Sequence, residues 1–215
     1  MFHFSIKNTI YGFGVAVAAS MVFASCVKDR DITPVTPTPP VVTDSGSTNE
    51  IIHYWDFNDK DNLLDPTLTL LDGSLGVTDT YDEEENGGTL LNARNSSDSG
   101  HCFRDRNPST SFTINAPTTG HDSVYVSFAV MRTNNGAQTN KIEYSIDGTS
   151  YITTGLATTQ IVVGLTWQVF GFDFSGISGV KDNADFKVRI TFADGNDNAS
   201  GNDRYDNIVV EGTQL

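Results

Sequence analysis

The feature that most limits what this chain can become is a series of short segments in which apolar residues return every second position. Val124, Val126, Phe128 and Val130 alternate with Tyr125, Ser127, Ala129 and Met131. Phe112 and Ile114 alternate with Ser111, Thr113 and Asn115, and Ile142, Tyr144 and Ile146 with Glu143 and Ser145. Phe170, Phe172 and Phe174 share a face, as do Phe186, Val188, Ile190 and Phe192. A period of two sends successive side chains to opposite faces of a strand. Gly, Asn and Asp turns separate the segments, and helical periodicity is nearly absent. Strands that bury one face and wet the other predict antiparallel sheets packed as a sandwich. Asp147-Gly148, between Ile142–Ile146 and Tyr151–Thr154, predicts a hairpin.

The last strand, Arg204 to Glu211, sets the closure. Strict alternation puts Asp206, Ile208 and Val210 on one face and Tyr205, Asn207, Val209 and Glu211 on the other. An acid at the head of an inward apolar row needs a partner, because an unpaired buried carboxylate is costly. The first strand, Ile51 to Phe57, carries an acid inside an aromatic run, Asp56. The expectation is that these end strands meet and share a polar or metal link. Residues 60–100 read least regularly. Leu68–Leu71 and Thr89–Leu91 are strand candidates, with Asp82–Gly88 a loop between them.

The first residues are a processing signal and not fold. Lys7 supplies the positive region, Ile10 to Phe23 the apolar one, and Phe23-Ala24-Ser25-Cys26 ends it. That ending resembles the lipobox of bacterial lipoproteins, in which cleavage before the Cys leaves an acylated amino terminus; Phe23 stands where Leu is commoner. The alternative is an ordinary cleaved signal with an incidental Cys. Lipid at Cys26 implies membrane attachment through acyl chains alone. Val27-Lys28-Asp29-Arg30-Asp31 resembles the surface-export signal of Bacteroidota lipoproteins, with a plain solvated spacer as the alternative and a periplasm-facing anchor the other orientation. The Pro/Thr-rich stretch from Thr33 to Pro40 and the flexible Asp44–Asn49 make residues 26–49 a linker. At ~3 Å per residue this linker reaches at most about 70 Å. The reading is therefore signal peptide 1–25, lipid-anchored linker 26–49 and one domain over 50–215.

Charge excludes one class of partner. The chain carries 27 acids against 13 Lys and Arg, a net charge of −14. Loss of residues 1–25 removes Lys7 and no acid, so the remainder reaches −15. With no basic patch, nucleic acid is not expected. Cys102, alone once Cys26 is acylated, reads as a small buried hydrophobe. His53, His101 and His121 fit no catalytic motif, and there is no His-Glu-x-x-His pair, nucleophile elbow or phosphate loop. No catalytic residue is expected.

Five pieces occur in order: Tyr54-Trp55-Asp56-Phe57-Asn58, Phe103 to Pro108, Ser111-Phe112-Thr113-Ile114, Glu143 to Gly148, and Asp206-Asn207-Ile208-Val209-Val210. Together they resemble the jelly-roll domains of secreted and lipid-anchored Bacteroidota proteins, which are similar to galactose-binding-like and carbohydrate-binding-module sandwiches. The resemblance covers residues 50–215. It implies an antiparallel jelly-roll β-sandwich and, at Asp56 and Asp206, a structural calcium ion. The reading of the residues alone has Asp206 capping a turn. The oxygen-rich Asp194–Asn198 loop is a weaker calcium candidate, since it fits no EF-hand spacing.

A sugar site needs an aromatic face and planar polar groups. Tyr81, Tyr125 and Tyr151 are the platform candidates, and Trp55 and Trp167 are assigned to the core. Arg104, Arg106 and Asn107 form a basic cluster suited to a sugar hydroxyl or a uronate carboxylate. The competing assignment pairs these arginines with Asp105 and neighbouring acids. The function expected from this set is non-catalytic glycan binding at the outer membrane. The alternatives are a structural or adhesion component of a surface protein assembly, and a small polysaccharide lyase or hydrolase.

Overall fold

The computed structural model describes residues 49–215 apart from 79–80, 86, 96–99, 107–109 and 195–200. The chain divides between Thr43 and Asp44, and every described residue belongs to the second unit, Asp44–Leu215. The signal segment 1–25, Cys26, Asn107, nearly all of the 26–49 linker and most of the Asp194–Asn198 loop lie outside the described residues.

The described regular structure is all β. In chain order the strands are β1 (Asn49–Trp55), β2 (Leu68–Thr69), β3 (Ser74–Val77), β4 (Tyr81–Glu85), β5 (His101–Arg106), β6 (Ser111–Asn115), β7 (His121–Arg132), β8 (Thr139–Ser145), β9 (Gln160–Val162), β10 (Gln168–Asp173), β11 (Lys187–Ala193) and β12 (Asn202–Gln214). They form two antiparallel sheets of a jelly-roll sandwich. The larger has the order β10-β7-β12-β1-β2, with β5 and then β4 continuing from the first half of β12. The smaller has the order β3-β6-β11-β8-β9. As the end-strand argument expects, β1 and β12 pair, from Asn49↔Thr213 to Trp55↔Ile208.

The alternating residues fill the space between the sheets. Phe103, Phe112, Phe128, Phe172, Phe174, Phe186, Trp55 and Tyr205 are all buried there. Burying each such side chain contributes on the order of 2 kcal/mol. Phe112 meets Tyr205 edge-on at 4.7 Å and Phe128 meets it at 5.6 Å, so one phenol ring ties both sheets together. His53 is also fully buried. Its ring bonds Thr69 Oγ1 at 2.8 Å and the Pro117 carbonyl at 2.9 Å, and burial pulls its pKa down.

Three local expectations change. The Asp82–Gly88 loop is mostly strand β4, because Asp82 and Glu84 pair with arginines on β5 and β12. Strand propensity disfavours acids, and here cross-strand ion pairs override it. Leu68–Leu71 shortens to a two-residue strand, and Thr89–Leu91 forms none. The Asp147-Gly148 turn is present, with Asp147 Oδ1 accepting from Thr149 and Ser150 N–H. Those bonds hold the Asp147 carboxyl well below the usual range. Its second arm is a single bridge, Ile152 to Tyr144.

Candidate functional site

A bulge in β12 creates the outer surface of the large sheet. Asn207 has φ 50°, and pairing with β7 jumps from Asp206↔Ala129 to Val209↔Ser127. One extra residue on β12 resets the alternation. Tyr205, Ile208 and Val210 therefore all enter the core, while Asp206 and Asn207 both face outward. This corrects the strict alternation, which sets Asp206 with Ile208 and opposes it to Asn207.

Onto that outward pair residues 87–94 fold as a strap. Asn207 Nδ2 donates to the carbonyls of Thr89 at 2.7 Å and Leu91 at 3.1 Å. Its Oδ1 accepts the Tyr54 hydroxyl at 2.6 Å. Asp206 Oδ2 accepts the Thr89 N–H at 2.7 Å. Asn92 Nδ2 returns to the Asn207 carbonyl at 2.7 Å and to Ser127 Oγ at 3.1 Å. The polar link between the end strands is thus Tyr54 to Asn207.

The strap delivers Arg94 to the rest of the face. Arg94 Nε donates to Glu211 Oε1 at 2.9 Å and Nη1 to the Asn92 carbonyl at 3.0 Å, which fixes the guanidinium plane. Glu211 is in register with Tyr125 of β7, and Tyr125 is in register with Asp173 of β10. Residues directly opposite share a face. Asp173, Tyr125 and Glu211 thus form one row across three strands, with Arg94 at its end. The Tyr125 ring lies across Gly171, where any Cβ would overlap its hydroxyl. Burial raises the Tyr125 pKa, and the charges of Glu211 and Asp173 raise it further. At the head of β10, Trp167 is half-buried and is not part of the described core, unlike the sequence assignment. Trp167 and Asp173 are about 20 Å apart along the strand.

The six candidate binding residues do not converge. Tyr125 alone joins this row. Tyr81 turns inward and packs on Phe103 at 5.8 Å. Tyr151 lies under the Arg189 guanidinium at 3.9 Å, with Arg189 tied to Glu143 on the other sheet. Arg104 grips Asp82 through two bonds of 2.6 and 2.8 Å and also pairs with Glu84. Arg106 reaches Asp82 at 2.8 Å. Burial pushes the Asp82 carboxyl up, but hydrogen bonds from both arginines outweigh it and hold the pKa low. The acids come from β4, and Asp105 faces the core instead.

Asp56 and Asp206 each cap nearby backbone. Asp56 Oδ1 accepts from Asn58 N–H at 3.1 Å and Thr67 Oγ1 at 2.6 Å. Among the described residues no group of three or more His, Cys, Asp and Glu side chains is placed to hold a metal. Cys102 is buried, and burial first, then the Asp206 charge, pushes its thiol up to about 12. His101 Nδ1 pairs with Glu83 Oε2 at 2.6 Å beside a polar cleft of about 410 Å³ that Asn58, Asp59, Lys60 and Asp61 complete.

No family model and no curated protein matches this chain. Among solved structures it is similar to domain 4 of a GH43 extracellular arabinanase from Geobacillus stearothermophilus in complex with arabinotriose, at 12% identity and TM-score 0.45, covering 78% of this chain and 95% of that one. It is similar to the K2 cleaved adhesin domain of Lys-gingipain, a Porphyromonas gingivalis protein, at 10% identity and TM-score 0.45, covering 80% and 99%. A third is the Clostridium thermocellum xylanase 10B CBM22-1–GH10 structure with xylohexaose, at 13% identity and TM-score 0.43. The match there covers 78% of this chain and 28% of the xylanase chain. At these identities the fold rests on the strand pairings above and not on the likenesses.

Proposed function

We propose that the protein is a non-catalytic carbohydrate-binding module, lipid-anchored at Cys26 outside the cytoplasm, whose site is the outer face of the large sheet around Tyr125. The observation that carries this reading is the Asp173–Tyr125–Glu211 row with Arg94 at its end. An aromatic ring laid on a glycine suits the apolar face of a pyranose. Carboxylates on either side accept hydrogen bonds from vicinal hydroxyls, and a fixed guanidinium donates. The face is open and long, which suits a polymer chain more than a single sugar. Trp167 extends it at the far end of β10. The absence of catalysis is read from the chemistry of the strongest candidates. The Cys102 thiol is held protonated, and the acid raised to about 7, Asp203, faces the core and not this surface.

The test is a glycan array probed with the full-length protein in detergent, followed by calorimetry on any hit. Tyr125→Ala is expected to weaken binding tenfold or more, the worth of about 1.4 kcal/mol of stacking. Arg104→Ala, whose partner is Asp82, leaves affinity unchanged. No binding to plant, host or bacterial glycans, or full binding in Tyr125→Ala, would overturn the site. The exposed Leu90 (56%) and Leu91 (42%) on the strap favour the protein-assembly reading, and silence on the array would shift weight to it. For the anchor, Cys26→Ser is expected to release the protein from the membrane fraction, and unchanged retention would count against lipidation.

A further inference from the structure

With a sugar on the Tyr125 ring, as the carbohydrate reading above has it, the charges around that ring decide which polymer is accepted. Asp173 of β10 and Glu211 of β12 stand opposite Tyr125 on its two neighbouring strands. Adjacent strands are about 5 Å apart, so a sugar on the ring has a carboxylate on each side at about that distance. Asp173 is exposed, its Oδ1 accepts the Ser175 N–H at 2.8 Å, and among the described residues no cation pairs with it. Glu211 takes Arg94 Nε at 2.9 Å. The Arg94 Nη1 serves the Asn92 carbonyl and side-chain oxygen. Glu211 thus neutralises Arg94, and Asp173 leaves the row negative.

The rest of the face does not offset that charge. Arg204 is opposite Met131 of β7, about 20 Å along the strand from Tyr125. It and its neighbours Arg104 and Arg106 are held by Asp82 and Glu84. Lys181 is held by Asp122. At about 0.1 M salt a charge is felt over about 10 Å, so the carboxylates beside the ring act on a ligand there and the distant arginines do not. Tyr125 records the same field: burial first, then the charges of Glu211 and Asp173, push its pKa up. The whole chain, at a net charge of −14, adds repulsion of the same sign.

We infer that the Asp173–Tyr125–Glu211 row selects an uncharged polysaccharide and rejects one bearing carboxylates, with Glu211 as the residue that withholds Arg94 from an anionic sugar. A neutral sugar presents hydroxyls, which donate to both carboxylates. A uronate presents a carboxylate, which only accepts and is repelled. Arg94 is the one group of the row suited to grip such an anion, and Glu211 already occupies it. This reverses the uronate role that the sequence suggests for Arg104 and Arg106, both of which donate to Asp82.

The test is an array of arabinan, xylan, galactan, mannan and glucan, each native and carboxymethylated, probed with the full-length protein in detergent and followed by calorimetry. On any backbone that binds, the native polymer should bind about tenfold tighter than its carboxymethylated form at low salt. The gap should narrow in about 1 M sodium chloride, where screening shortens the reach of a charge to about 3 Å. Glu211→Gln, which frees Arg94, should cut the ratio most, and Asp173→Asn should cut it less. The salt dependence stands as a readout if neither variant folds. Equal or tighter binding of the carboxymethylated form at low salt, or a ratio unchanged in both variants, would overturn the charge selection and leave carbohydrate binding in place. Silence on every native polymer would overturn both.

Discussion

The two faces of β12 each bury a cluster of polar side chains. Outside, Asn207 makes a bond with every side-chain polar atom, and both Asp206 oxygens accept a backbone N–H. Inside, Asn140 donates to Asp203 and to the Tyr205 hydroxyl, and Asp203 also accepts a backbone hydrogen bond from Ala137. The outer cluster is complete within the protein and acts as the rivet of the strap. The inner one sets two buried acids, Asp105 and Asp203, side by side, and burial raises the Asp203 pKa to about 7. Burial alone therefore says little about a polar group; the bonds it makes and the charges beside it decide what its burial costs.

The largest expected effect breaks the outer rivet. Asn207→Ala leaves the Thr89 and Leu91 carbonyls unpaired, and places Ala at φ 50°. Denaturant unfolding should show a loss of about 4 kcal/mol. A loss below about 1 kcal/mol would mean the strap is held by something else. The next test sets the faces against each other. Asp206→Ala should cost about 2 kcal/mol, because it strips acceptors from two backbone N–H groups. Asp203→Asn should gain about 1 kcal/mol, because it removes one of two crowded charges. If both substitutions destabilise alike, the contrast between the faces is gone.

Much of the fold was legible from period two. The strands over 111–115, 124–131, 142–145 and 187–192 appear where alternation puts them, and β1 meets β12. Less of the site was legible. Tyr125 was a candidate, but its companions Asp173, Glu211 and Arg94 come from two other strands and a strap. Their common signal is only their register, which no single segment carries. Pairing of Arg104 and Arg106 with acids was legible, but it was placed on Asp105 and its neighbours because Asp82 and Glu84 read as loop. Acids are poor strand formers, and only the arginines opposite them make β4 a strand.

What the sequence determined by itself is the all-β class and the antiparallel pairing, since alternation over five or more residues has one satisfactory burial. What tertiary structure decided is which way β12 faces at each end. The alternation holds only until a residue is inserted in the pairing, and the bulge at Asp206-Asn207 sits where Tyr54, Thr89 and Leu91 converge to bond it. Those partners lie more than a hundred residues away in the chain. Their hydrogen bonds send Asp206 outward to the strap, while the strand's other end leaves Asp203 beside Asp105 in the core.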